Sequence, residues 1–277
     1  MSSIADSIPT LEDAAMNTFT TFGTGPRKVL VLPGLFGARP LEPMLAMADG
    51  DACQYVVMDY RGYGASRALP GLCHLREVVI DAIRLLDYLG WTHAHVLGHS
   101  MGALAAQMLA VAAPRRIRSI VSLAGLGAQG ASRDPAHRRL MSEAAHDLAK
   151  RAAVIDNGTG KRYGAAQVRL LAEASWDAMK PEAFAAYAAD AAATDIQREV
   201  DGSAVPFHAI VGAHDPAASE KSTRETSLRW YRDSSLTVLA GAGHYPSIET
   251  PLQAIAAIES FLREAESAAR EKEKLAA

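Results

Sequence analysis

Short runs of consecutive apolar residues alternate with longer stretches in which apolar positions recur every three or four residues, and this rhythm organises the first 123 residues. Lys28–Leu32, Tyr55–Asp59, His95–Leu97 and Ile117–Leu123 are runs of strand length. Continuous apolar runs of this kind suit strands buried on both faces of a parallel sheet. Between them, His74 to Leu89 puts Val78, Val79, Ala82, Ile83, Leu86 and Leu89 on one helical stripe, and Ala103 to Ala112 reads as an apolar helix closed by Pro114. Thr18–Phe22 is expected as a short leading strand, with the turn Gly23-Thr24-Gly25-Pro26 after it. Strand-helix alternation implies right-handed crossovers, and so an α/β fold: a doubly wound, mostly parallel central sheet with helices on both faces.

The rhythm breaks between about Leu126 and Gly202, which is alanine-rich and helical, with helices expected over 135–151, 165–174 and 181–193 and a connection at Asp156–Gly160. It returns with Phe207–Val211, a helix around 219–231, the strand Leu236–Leu239 and a closing helix from Pro251 to about Ala265. The expected organisation is a core of 1–125 and 203–270 with an inserted helical cap of 126–202. Residues 271–277 read as a charged tail ending like a cloning-site linker. Tyr163, Trp176, Phe184 and Tyr187 are candidates either for the wall of a cleft or for packing within the cap.

In doubly wound sheets ligands sit beyond the carboxyl ends of the strands, so the polar residues that follow each strand carry the chemistry. After His95–Leu97 comes Gly98-His99-Ser100-Met101-Gly102, a Gly-x-Ser-x-Gly pattern between an apolar run and a helix. That is the context of a nucleophile elbow, in which a strained serine lifts its hydroxyl clear of the sheet and small neighbours make room. A serine capping an ordinary helix would look the same locally. A serine nucleophile needs a base, and the base needs an acceptor to orient it. Asp215, in Gly212-Ala213-His214-Asp215, and His244, in Gly241-Ala242-Gly243-His244, follow two later strands. The segment Ser122 to Ala128 offers no carboxylate, which leaves Asp215 as the acid. The chain order Ser100, Asp215, His244 is the one expected for this architecture.

These motifs, together with Asp59-Tyr60-Arg61-Gly62-Tyr63-Gly64-Ala65-Ser66 and Gly243 to Pro251, resemble those of the α/β-hydrolases, in particular capped, single-domain, esterase-like members, over residues 18 to about 265. The resemblance implies Ser100 as nucleophile, His244 as base and Asp215 as its orienting acid, with an oxyanion hole formed by the backbone amides of Leu35 and Met101. Pro33 stands where the family usually has a histidine. Phe36, His99, Trp176, Tyr187 and Tyr245 are the expected pocket residues. His93, His95 and His208 are expected to be structural, and Asp59, Arg61 and Ser66 to hold loops by hydrogen bonds. The reading is a cofactor-independent serine hydrolase of an ester or lactone. Carbon-carbon bond hydrolysis or acyl transfer on the same triad, and a non-catalytic ligand-binding relative, stand as alternatives.

Composition narrows the partners. A chain of 277 residues that is 49% hydrophobic buries a full core as one main domain. A net charge of -3 supplies no basic face for nucleic acid or an anionic membrane, so the expected partner is a small neutral or apolar molecule. Cys53 and Cys73 form no disulfide framework and no His/Cys spacing suggests a metal. Met1 to Ala15 lacks the basic start and apolar core of an export signal, and no run is long enough to span a membrane, so the expected location is cytoplasmic.

Overall fold

The computed structural model describes residues 16–276; the N-terminal stretch on which the expectation about an export signal rests, and Ala277, lie outside the described residues. Seven strands, β1 (Phe19–Phe22), β2 (Arg27–Leu32), β3 (Cys53–Met58), β4 (Ala94–His99), β5 (Ile117–Leu123), β6 (Phe207–Gly212) and β7 (Ser234–Leu239), form one sheet in the order β1-β3-β2-β4-β5-β6-β7. All neighbours pair in parallel except β1, which runs antiparallel to β3. The apolar runs work as the fully buried strands they suggest: in β2, Val29 and Val31 enter one core, while Leu30 and Leu32 enter the other.

Helices α1 (Glu42–Leu45) and α12 (Pro251–Ala276) cover one face, through Met44, Leu45, Ala254, Ile255, Ile258 and Leu262. The other face is covered by α2 (Leu75–Tyr88) and α3 (Met101–Ala112). The last helix reaches far back along the chain: Glu259 accepts from the Asp49 amide and the Tyr55 hydroxyl, and Glu266 stands 3.0 Å from His95 Nε2.

Between β5 and β6 lie α4 (Pro135–Ala144), α5 (Leu148–Gly158), α6 (Ala165–Trp176), α7 (Pro181–Ala193) and the short α8 (Gln197–Val200). The single helix expected over 135–151 is two, because Asp147 caps a new helix by accepting from the amides of Ala149 and Lys150. Asp156, Asn157 and Gly158, expected as a connection, are the last turn of α5. The helix expected around 219–231 is likewise interrupted, into α9 (Glu220–Glu225) and α10 (Ser227–Trp230), at Thr226. One more short helix, α11 (Pro246–Glu249), precedes α12.

The chain steps from β2 outward to β3 and then returns to the other side of β2 with β4. This reversal opens a crevice at the strands' carboxyl ends, where the loops after β2, β4, β6 and β7 converge.

Candidate active site

Ser100 is the single residue between β4 and α3, and its backbone has φ 51° and ψ -117°, a conformation that L-residues rarely hold. The glycines around it are required by close backbone approach. A Cβ on Gly102 would stand 2.0 Å from the Leu32 carbonyl oxygen, and one on Gly98 2.5 Å from Ala103 Cα. The turn therefore presses against the end of β2 and projects the serine side chain outward. Met101 opens α3, so its N–H belongs to the unpaired first turn of that helix.

Asp215 follows β6 and His244 follows β7. Asp215 is buried; its Oδ1 accepts from the amides of Ala217 and Ala218 at 2.8 and 3.1 Å, while Oδ2 lies 2.7 Å from His244 Nδ1. His244 Nε2 lies 2.9 Å from Ser100 Oγ. Burial tends to raise the Asp215 pKa, but His244 and the two amides hold it below the usual carboxylate range. Burial pulls His244 down, yet the charge and hydrogen bond of Asp215, with the charge of Glu249, leave it raised overall. Hydroxyl, imidazole and carboxylate thus form a continuous chain in which the imidazole has a proton acceptor's geometry toward Ser100.

The chain opens onto a cavity of about 430 Å³, bounded by Leu35, Phe36, Met101, Leu126, Met141 and Val154, with alanines of α7 as one wall. That size suits a small organic ligand, and the walls are mostly apolar. Its rim carries Arg138 and Arg139, both exposed.

The sequence matches the description alpha/beta hydrolase fold over residues 28–251. The chain belongs to the alpha/beta hydrolase family. Among curated proteins, the chain is 36% identical over 125 residues to 2-hydroxy-6-oxononadienedioate/2-hydroxy-6-oxononatrienedioate hydrolase 2 of Pseudomonas putida, a match that covers 41% of each chain. The matched part thus spans less than half of that relative. Among solved structures, it is similar to an esterase from Exiguobacterium antarcticum (TM-score 0.78, 17% identity, 88% of this chain and 94% of that one). It is also similar to the enol-lactonase from Burkholderia xenovorans LB400 (TM-score 0.77, 22% identity, 89% and 96%). At such identities these two likenesses speak to the fold alone.

In this chain Leu35, Phe36, His99, Met101 and Tyr245 all border the cavity beside Ser100 and His244. Trp176 and Tyr187, expected there, do not. Trp176 lies under the Arg151 guanidinium, 4.7 Å from its ring centroid, and Tyr187 is fully buried against Tyr60 and Tyr63 with its hydroxyl on the Arg61 carbonyl. Phe184 and Tyr187 of α7 pack against Phe36 of the loop after β2 and Tyr60 and Tyr63 of the loop after β3, so these two α7 rings join the helices to the loops below them instead of lining the cavity. His99 is buried, with Nε2 2.9 Å from the His244 carbonyl, and burial followed by the nearby His244 pushes its pKa down to about 4. Asp59, Arg61 and Ser66 bind Thr18, Ala65 and Asp81 and so brace the loop after β3.

Two contributions were not anticipated. The Tyr60 and Tyr63 hydroxyls donate to the carbonyls of Pro33 and Leu35, and Glu249 receives the amides on either side of His244. Among the described residues no His, Cys, Asp or Glu cluster is arranged to hold a metal ion, and no helix is long and apolar enough to cross a membrane.

Proposed function

We propose that this hydrolase cleaves a carboxylic ester or lactone through an acyl-enzyme on Ser100. The observation that carries the reading is the unbroken chain from Ser100 Oγ to His244 at 2.9 Å and from His244 to Asp215 at 2.7 Å, at the floor of an apolar cavity. His244 takes the serine proton as Oγ adds to the carbonyl carbon, and returns it to the departing alkoxide. Water then enters, gives its proton to His244 and adds to the acyl carbon, and collapse of that adduct frees the acid and restores Ser100. The amides of Leu35 and Met101 receive the negative oxygen, each donor contributing about 3 kcal/mol to transition-state stabilisation. Residues 126–202 serve as a cap that shapes the cavity, over a core that takes in 16–125 and 203–270 of the described residues. The two free cysteines, Cys53 and Cys73, fit a reducing, cytoplasmic setting.

The likeness to the Pseudomonas putida hydrolase supports a second reading, carbon-carbon bond hydrolysis on the same three residues. The apolar walls favour the ester or lactone. The experiment is a panel of p-nitrophenyl esters of increasing acyl length, several lactones and a 2-hydroxy-6-oxo-dienoate, assayed with the parent and with Ser100→Ala. Ester or lactone turnover that Ser100→Ala abolishes supports the first reading. Turnover of the dienoate alone supports the second, and turnover that survives Ser100→Ala overturns both.

A further inference from the structure

His244 is held by more than its ring contacts. Three consecutive amides in its loop are engaged: Gly243 N–H donates to Glu249 Oε2 at 2.9 Å, His244 N–H to the Gly158 carbonyl at 2.8 Å, and Tyr245 N–H to Glu249 Oε1 at 3.0 Å. The His244 carbonyl is met by His99. Gly158 is the last residue of α5, so one of these holds comes from the helices between β5 and β6. The loop also packs tightly there, since a Cβ on Gly243 would stand 2.6 Å from the same Gly158 oxygen.

The Glu249 side chain is only 2% exposed, and Arg162, from the connection between α5 and α6, stands 3.1 Å from it. Arg162 also donates to the Gly241 carbonyl, at the start of the same loop. A buried carboxylate is costly unless its lone pairs are met. The bond to Tyr245, the residue before α11, resembles a capping-box contact made one position late, since Glu249 is the fourth residue of the helix and the box uses the third. Capping does not account for the second oxygen on Gly243 or for the cation from a different part of the chain. The amides of Gly243 and Tyr245, both held by Glu249, bracket the histidine, and Arg162 ties Glu249 to the helical layer above.

We propose that Glu249 is a positioning residue for His244, and that Glu249, Arg162 and the α5 terminus together make seating of the helical layer part of aligning the base. The proposal rests on the serine-hydrolase reading for its kinetic consequences. Misplacing a base by about 1 Å costs on the order of 100-fold in rate, so the clamp acts on kcat rather than on binding. It also acts on charge. The groups facing His244 are Asp215, Glu249, His99, Tyr245 and Ser100, and the carboxylates of Asp215 and Glu249 favour its protonated form.

The test compares the full-length parent, Glu249→Gln and Arg162→Met on p-nitrophenyl butyrate, with melting curves for each. Glu249→Gln keeps the size but replaces one acceptor with a donor and removes the charge. The expected result is a kcat lower by about 10- to 100-fold with KM within about twofold, and an acid limb of kcat/KM displaced to lower pH. Arg162→Met, which leaves the Glu249 charge uncompensated, displaces that limb to higher pH. Wild-type kcat and an unmoved limb in a folded Glu249→Gln overturn the proposal. If Glu249→Gln does not fold, an unmoved limb in Arg162→Met does so. Titration of the His244 ring by NMR in parent and variants needs no turnover. If Ser100→Ala retains activity the serine-hydrolase reading fails, and the ring titration still decides the clamp: a shift to lower pH in Glu249→Gln supports it, and superimposable curves overturn it.

Discussion

The Tyr63 hydroxyl donates to the carbonyl of Leu35 at 3.0 Å. Together with Tyr60, whose hydroxyl donates to Pro33 at 2.8 Å, it braces the loop after β2 from below. Both tyrosines are buried and meet edge to face, with ring centroids 6.0 Å apart. Pro33 occupies the place of the histidine usual in the family, and here the bracing comes from the loop after β3. Tyr63→Phe removes one bond and little volume. The expected cost is about 1 kcal/mol, or about fivefold in kcat/KM, with the melting temperature little changed. Steady-state kinetics on an ester substrate checks it.

Gly102→Ala drives a Cβ into the Leu32 carbonyl, which is backbone and cannot swing away. The expected loss of stability is about 3 kcal/mol, accompanied by loss of activity. Gly164→Ala is the control, since its Cβ meets only the flexible end of Gln167. Urea unfolding of the two variants separates a general intolerance of the added methyl from the specific clash.

Arg151 is 1% exposed, and its donors meet the carbonyls of Ala144 and Ser175 rather than a carboxylate. Its guanidinium lies 4.4 Å from the Phe184 ring centroid and 4.7 Å from that of Trp176, and burial brings its pKa down to about 10. It therefore joins the ends of α4 and α6 to the aromatic core of the layer. Arg151→Met takes the guanidinium donor from the buried Ala144 carbonyl, removes one of the donors to the Ser175 carbonyl and loses the ring contacts, for an expected cost of about 2–4 kcal/mol. Thermal unfolding measures it.

His99 makes the fold sensitive to acid. Its folded pKa, about 4, lies below the ordinary 6.5, so the unfolded chain binds the proton first as pH falls. Its contribution is fully present above pH 6.5 and is lost between there and about 4, amounting to roughly 3 kcal/mol. His95 and His208, also lowered by burial, act in the same direction, and the raised His244 acts in the opposite one. Denaturant unfolding at several pH values is the check: His99→Gln is expected to flatten the decline between pH 6.5 and 4.

What could be read in the chain follows from how local each signal is. Val29–Leu32 and Ile117–Leu123 are strands because an unbroken apolar run has few other uses at that length, and Gly98 and Gly102 mark a tight turn whatever surrounds it. Ser100, Asp215 and His244 were legible as polar residues just past strand ends. Glu249 was not, because its role depends on meeting two amides in a preceding loop and an arginine 87 residues away. Tyr60 and Tyr63 were hidden for the same reason. Trp176 and Tyr187 were misplaced because an aromatic side chain in a helix does not announce whether it faces a cavity or its neighbours. The break at Asp147 had a local signal, an aspartate able to cap, which the surrounding alanines masked.

The reach of α12 bears on how the molecule is made. Glu259 meets Asp49 across 210 residues, and Glu266 meets His95 across 171. Contacts so distant close late, after the chain between them has been ordered. During synthesis the sheet strands that carry the serine leave the ribosome long before the helix that shields their second face. For that interval Val29, Val31, Tyr55 and Leu97 have only the short α1 region over them, which leaves an apolar surface open to aggregation or to a chaperone. Docking of α12 is thus the step that closes this face of the nascent sheet to other chains.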